Sequence, residues 1–331
     1  MNKIIYHFIL TNMEENIYIL KKKDIDLYAC LSVYIKYLSN IINDIEKCNS
    51  KIPTLIYKES INDIIFEKFK NKNILILGNI FSIETINKIT KICKNMLIVS
   101  NIKMELLEQE NIIYMIEEEK SLSYILSYFF LQKIPLLIHY INKYTLNNKS
   151  LKVLQIIEGF KYIIINFKKN YLKCENINKL LDTSYFNNII KKGKSIIKLY
   201  EYIMLKHLRD DIEYCSFPSS LIYNKFKDYY PDSNYYKIVL SSSLSVIPID
   251  IVKYIIFQSI ASKRMDILVI WKYSVNKKEY IMKFIPISNN IDINKILIPF
   301  KREKNTIILN KKDYDIDDIF ENINLLTLTR H

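Results

Sequence analysis

The sequence predicts an α/β protein: a parallel, doubly wound sheet joined by helices to a smaller mixed α/β domain. Three observations carry this expectation. Over the first 130 residues, short apolar runs alternate with helical periods, the signature of parallel strands linked by crossover helices. From Ile134 to about His207 the pattern is mostly helical. Beyond that, the two-residue period of half-buried strands returns. The expected boundaries are 1–150 for the first α/β domain, 151–212 for a helical extension and connector, and 213–331 for the second domain. A chain of 331 residues is long enough to bury two cores of ordinary size.

Each element follows from its local pattern. Ile17 to Leu20 reads as the first strand, after which Cys30, Val33, Tyr37, Ile41 and Ile45 recur at helical spacing on one face. Thr54 to Tyr57 is the second strand, and Ser60 with Asp63 is placed as a capping pair for the helix that follows. Asn73 to Leu77 is the third, with Ser82 and Thr85 opening the next helix. Met96 to Val99 and Ile112 to Ile116 complete the sheet, and Ser121 begins a helix ending near Leu131. Helices are then expected over Leu136–Tyr144, Leu151–Phe167 and Phe186–Leu208, the last bridging the two domains. In the second domain Lys237–Leu240, Asp266–Trp271 and Tyr280–Ile285 read as strands, with a helix from Asp250 to Ser259 between the first two.

Composition narrows the function. Half the residues are hydrophobic, which argues against global disorder. No apolar run reaches the roughly 20 residues of a membrane span, and the N-terminus lacks a signal-peptide pattern, so an intracellular, cytoplasmic protein is expected. Five scattered cysteines, none in a C-x-x-C pair, argue for a reduced compartment and against a thiolate zinc site. The net charge of +13 invites a polyanionic partner, but the basic residues are dispersed and the Ile-, Lys-, Asn- and Tyr-rich composition is what an AT-biased genome yields. Three glycines in the whole chain cannot build a phosphate-cradling loop, which excludes Walker-type NTPases and dinucleotide-binding Rossmann enzymes.

The most informative residues are Asp24 and Asp26, which follow the first strand and open an amphipathic helix. Carboxylates there suit either metal ligation or the capping of a helix N-terminus, where the dipole favours negative charge. Tyr235-Tyr236-Lys237 and Tyr229-Tyr230 suit base stacking or, more simply, packing in a tyrosine-rich chain. Trp271 is expected in the core, and His139, on an apolar helix, as a satisfied structural histidine.

The order of these elements resembles the DHH phosphoesterase superfamily along nearly the whole chain. Lys23-Asp24-Ile25-Asp26-Leu27-Tyr28-Ala29-Cys30 is similar to the first family motif, with lysines 21 to 23 where a histidine is wanted. Ile74-Leu75-Ile76-Leu77-Gly78 resembles the second strand motif, with Gly78 at the metal-bridging acid. Leu97-Ile98-Val99-Ser100-Asn101-Ile102 aligns with the name-giving Asp-His-His, here Ser100, Asn101 and Ile102. Glu118 to Ser123 resembles the Ser-Gly-Ala helix start, and Pro135 to Leu146 the helix of the fourth acidic motif, with Lys143 and Thr145 where acids belong. In the second domain Asp266–Ile285 and Asp292–Ile296 resemble the DHH-associated substrate domain, but Ile298, Pro299 and Phe300 stand where its Gly-Gly-His signature belongs.

The resemblance implies a two-manganese centre and a second domain that holds the substrate. Two-metal hydrolysis needs a pair of cations about 4 Å apart, each with several oxygen or imidazole ligands. Gly78 and Ile102 supply none, Ser100 and Asn101 only weak neutral ones, and Lys143 would repel a cation. The expectation is therefore a catalytically inactive relative, with no cofactor, acting as a binding or scaffold protein. Weak binding of single-stranded nucleic acid or nucleotide, an unidentified protein partner and homo-oligomerisation all stay open. So do two alternatives: a divergent, active metal-dependent phosphodiesterase of the nanoRNase kind, and a structural oligomeric interaction protein. Lys143 is expected to ion-pair with Asp24 or Asp26, standing in for the lost metal charge.

Overall fold

The computed structural model describes residues 17–21, 25–41, 54–57, 66–78, 81–103, 110–131, 133–166, 179–210, 213–225, 236–258, 266–287, 291–297, 300, 302–303, 305–313 and 316–322. The chain divides into two compact units, 1–196 and 197–331, so the division falls within a long helix rather than after it.

In the first unit the described strands are β1 (Ile17–Lys21), β2 (Thr54–Tyr57), β3 (Asn73–Leu77), β4 (Asn95–Ser100) and β5 (Ile112–Ile116). All pair in parallel, in the order β2-β1-β3-β4-β5. The helices are α1 (Ile25–Ile41), α2 (Ile83–Thr90), α3 (Leu122–Phe130), α4 (Leu136–Thr145), α5 (Leu151–Asn166) and α6 (Thr183–Asp210). Parallel strands need crossovers, which put helices on both faces and make each strand apolar throughout. Residues 73–77 and 96–100 are accordingly buried without a break. The two-residue period sorts their side chains between two layers. Leu75, Leu77, Leu97, Val99 and Met115 pack with α1, α3, α4 and α5, whereas Ile74, Ile76, Met96 and Ile98 pack with Phe69, Ile86 and Ile89 on the other face.

Capping fixes the helix starts. Ser82 accepts the Thr85 N–H at 3.3 Å, as its sequence context predicts. The helices α5 and α6 cross with their backbones almost touching: a Cβ at Gly159 would stand 2.0 Å from the Ile189 carbonyl oxygen, and one at Gly193 only 1.6 Å from that of Gln155. Two of the chain's three glycines are thus committed to one helix crossing.

The second unit, the smaller of the two as expected, contains a mixed sheet of seven described strands. It runs β10-β11-β9-β8-β7-β6-β12, comprising β6 (Glu213–Phe217), β7 (Tyr236–Ser241), β8 (Ile267–Ser274), β9 (Glu279–Pro286), β10 (Arg302–Glu303), β11 (Thr306–Asn310) and β12 (Glu321–Asn322). Only β7 and β8 pair in parallel among these, joined by the crossover helix α8 (Ile249–Gln258), after the short α7 (Ser220–Lys225). One sheet face closes over Phe217, Met282, Phe284, Ile307 and Phe300. Phe300 is therefore a core residue, and Trp271, half-buried, packs edge-on against Tyr280. Tyr236 lies on β7 against the same core, in keeping with packing. Ile298, Pro299, Tyr229, Tyr230, Tyr235, Ser60 and Asp63 lie outside the described residues.

Cys30, Cys93 and Cys215 are buried free thiols; Cys48 and Cys174 lie outside the described residues. Burial pushes the Cys93 thiol up to about 11, which keeps it protonated and unreactive at neutral pH. Among the described residues no helix is long and apolar enough to cross a membrane.

Candidate functional site

Open α/β sheets bind ligands outside the carboxyl ends of their strands, where the winding direction reverses. Here that point lies between β1 and β3, and Asp24, Asp26 and Gly78 follow those two strands. Asp24 lies outside the described residues. The strands β1 and β4, which precede Asp24 and Asn101, are separated by β3.

Asp26 sits in the first turn of α1 and is only 6% exposed. It caps a different helix from its own. Its Oδ2 accepts the Leu122 N–H at 3.0 Å, and its Oδ1 accepts the Ser123 N–H at 3.2 Å together with the Ser123 hydroxyl. The neighbouring donors of α3 are taken as well. Asn142 Oδ1 accepts the Ser121 N–H at 2.6 Å, and Ser121 Oγ accepts the Tyr124 N–H at 3.3 Å. A helix start leaves its first N–H groups without intrahelical partners. At α3 four successive donors, from Ser121 to Tyr124, are satisfied by Asn142, Asp26 and Ser121.

The other motif positions surround this network. Gly78 has φ of +87°, donates its N–H to the Val99 carbonyl at 2.8 Å, and presents its α-carbon to Leu122, whose Cδ1 a Cβ there would meet at 3.4 Å. Ser100, fully buried, turns back on its own chain: its hydroxyl donates to the Ile102 carbonyl at 2.8 Å and accepts the Ile102 N–H at 3.1 Å. Asn101 is half-buried and Ile102 is 55% exposed.

Of the two partners expected for Lys143, only Asp26 is among the described residues. The Lys143 ammonium lies 5.4 Å from the centre of the Tyr140 ring, and among the described residues no ion pair joins it to Asp26. The residue of α4 that reaches the α3 start is Asn142, one position earlier and 7% exposed. Sequence reasoning passed over it because a neutral amide in a slot expected to hold an acid carries no signal of its own. His139 also departs from expectation. The buried stripe of α4 is Leu137, Ile138 and Ile141, so His139 turns outward and is exposed. Partial burial, then the charges of Lys143 and Lys120, hold its pKa below the ordinary 6.5.

The described residues do not by themselves fit a two-manganese centre. The Asp26 oxygens are engaged by three donors of α3, Ser100 is bonded to Ile102, and Gly78 and Ile102 offer no ligand atom. Among the described residues no group of three or more His, Cys, Asp or Glu side chains could hold a metal ion.

No family model and no curated protein matches the sequence. The chain is similar to several solved structures. One is the DHH domain of a member of a ribosomal protein family, 11% identical with a TM-score of 0.41, covering 89% of this chain and 80% of that one. RecJ from Thermus thermophilus, in complex with Mn2+, is 8% identical with a TM-score of 0.39, covering 93% of this chain and 51% of that one. An exopolyphosphatase-related protein from Bacteroides fragilis is 11% identical with a TM-score of 0.36, covering 94% of this chain and 91% of that one.

Proposed function

We propose that this chain is a DHH phosphoesterase-like scaffold whose two-metal centre has given way to a self-satisfied polar network, and that it serves as a binding or scaffold protein. The observation that carries the reading is the commitment of the Asp26 carboxylate to the α3 backbone and to Ser123. A carboxylate that closes a buried helix end cannot turn to a cation without leaving those donors unpaired, at about 1–3 kcal/mol each. Of the remaining motif positions, Asp24 supplies one carboxylate and lies outside the described residues, while Gly78, Ser100, Asn101, Ile102 and Lys143 add one positive charge and no further anionic ligand. The order of strands and the position of Asp26 at the switch point support the family reading.

The test is hydrolysis with manganese on short oligonucleotides, cyclic dinucleotides, pyrophosphate and polyphosphate. No turnover above a metal-free control is expected. Turnover that vanishes in Asp24→Asn would restore an active, divergent phosphodiesterase with ligands elsewhere. For the binding role, the net charge of +13 favours polyanions, and affinity for single-stranded RNA should fall steeply with salt as counterions are released. RNA binding absent even at low ionic strength would favour a protein-only scaffold.

A further inference from the structure

We propose that the first unit holds a second binding site, for a small organic anion with a phosphate or carboxylate head and an apolar body, near the end of α1 remote from Asp26. The inference does not depend on the proposed function. Lys36 is ten residues beyond Asp26 on α1, about 15 Å along a helix, toward the amino ends of the strands. There a pocket of about 500 Å³ opens, within the range of small-molecule sites.

Its lining combines two chemistries. Lys36 and Asn40 come from the last turns of α1, Lys133 and His139 flank the start of α4, and Thr183 begins α6. Apolar surface comes from Leu131, Ile134, Pro135, Leu136 and Leu181. Three potential cations line the pocket and, among the described residues, no carboxylate does. The adjacent acid is Asp182, which is engaged by the Lys36 ammonium at 3.3 Å. Lys133 is exposed and has no ion-pair partner among the described residues. Behind the rim, Lys143 and Lys120 lie near enough to His139 to lower its proton affinity, so the local potential is positive on that side too. The N-cap of α4 is Pro135, whose side chain accepts nothing, so the first N–H groups of that helix add to the attraction for an anionic head. The head is therefore assigned to Lys133 and the α4 start, and the body to the Leu136 and Leu181 side.

Isothermal titration of the full chain with phenyl phosphate and with benzoate tests this, against phenol, benzyl alcohol and inorganic phosphate. One-to-one saturable binding of at least one of the two anions is expected, and the tighter of them identifies the head group. Lys133→Glu should weaken it by about tenfold, the worth of one charge-assisted contact. Lys272→Glu, an equal charge change on an exposed strand residue of the second unit, should leave it within about twofold. Leu136→Trp, checked for an unchanged melting transition, should fill the pocket and abolish binding. The proposal is overturned if neither anion binds. It is also overturned if the neutral analogues or inorganic phosphate bind as well as the organic anions, or if Lys272→Glu matches Lys133→Glu.

Discussion

Two helices of the first unit begin within fifteen residues of each other and treat their N-termini in opposite ways. At α3, four successive N–H donors meet acceptors from Asn142, Asp26 and Ser121. At α4, the cap is a proline with no side-chain acceptor, and lysine and histidine stand beside it. Both ends carry the same partial positive charge. The difference is where the neutralising groups come from. The α3 start is closed by the protein's own oxygens and is buried, and its one acid, Asp26, is engaged there. The α4 start faces a pocket, and its compensation is left to solvent or to a ligand. A carboxylate that follows one strand can thus have its oxygens committed to the start of a helix far along the chain.

The sharpest way to break the comparison is to remove the shared acceptor. Asp26→Ala strands two N–H groups and a hydroxyl in the core and should cost about 3–5 kcal/mol in urea unfolding. Asp26→Asn, which keeps one oxygen, should cost roughly half as much. A loss under about 1 kcal/mol for Asp26→Ala would mean that the carboxylate is not the cap of α3. Asn142→Ala removes a single acceptor from the same helix end and should cost about 1–2 kcal/mol by the same measurement.

The reverse experiment adds an acceptor at α4. Pro135 has φ −63° and ψ 147°, the extended geometry of an N-cap, so Pro135→Asp can supply the missing cap. The new cap should add up to about 1 kcal/mol, partly offset by the looser unfolded chain once proline is lost. The more telling readout is affinity for phenyl phosphate, which should fall because the helix end is now neutralised from within. Unchanged affinity would detach the pocket from the α4 start.

The smallest effect concerns His139. Burial, followed by Lys143 and Lys120, depresses its pKa below 6.5, so the unfolded chain holds this proton more tightly than the folded one. Its contribution to stability is whole above pH 6.5 and is lost as pH falls through the depressed folded value. In Lys143→Ala the His139 titration, followed by NMR, should move back toward the ordinary value, with a stability change under about 0.5 kcal/mol. A midpoint that stays put would show that Lys143 is not beside His139.

Much of the first unit could be read from sequence because its strands are apolar runs, and the central pair β3 and β4 is buried on both faces. Thr54–Tyr57, Asn73–Leu77 and Ile112–Ile116 are continuous apolar runs with the observed bounds. Ser82 and Ser121 announce their helices because an N-cap acts on donors three residues away, inside the window of a local pattern. The strands β6, β10, β11 and β12 went unread. Glu213–Phe217 alternates only weakly, and β10 and β12 are two residues long, so their pairing comes from neighbours far along the chain.

The candidate site divides along the same line. The aspartate pair after the first strand, the glycine after the third and the missing histidines are properties of the string of residues, and they were enough to raise and then weaken the metal reading. The partner of Asp26 was not available in that way. It lies 96 residues on, at the start of α3, whereas local reasoning offered only metal ligation or the capping of a helix N-terminus beside it in the sequence. Likewise Asn142, not Lys143, reaches the network, because helix rotation decides which of two adjacent residues faces inward. The sequence by itself determined which groups the chain possesses and which layers they belong to, since periodicity is local. Only the tertiary structure decided which donors those groups satisfy, because hydrogen bonds between distant segments depend on packing that no local window contains.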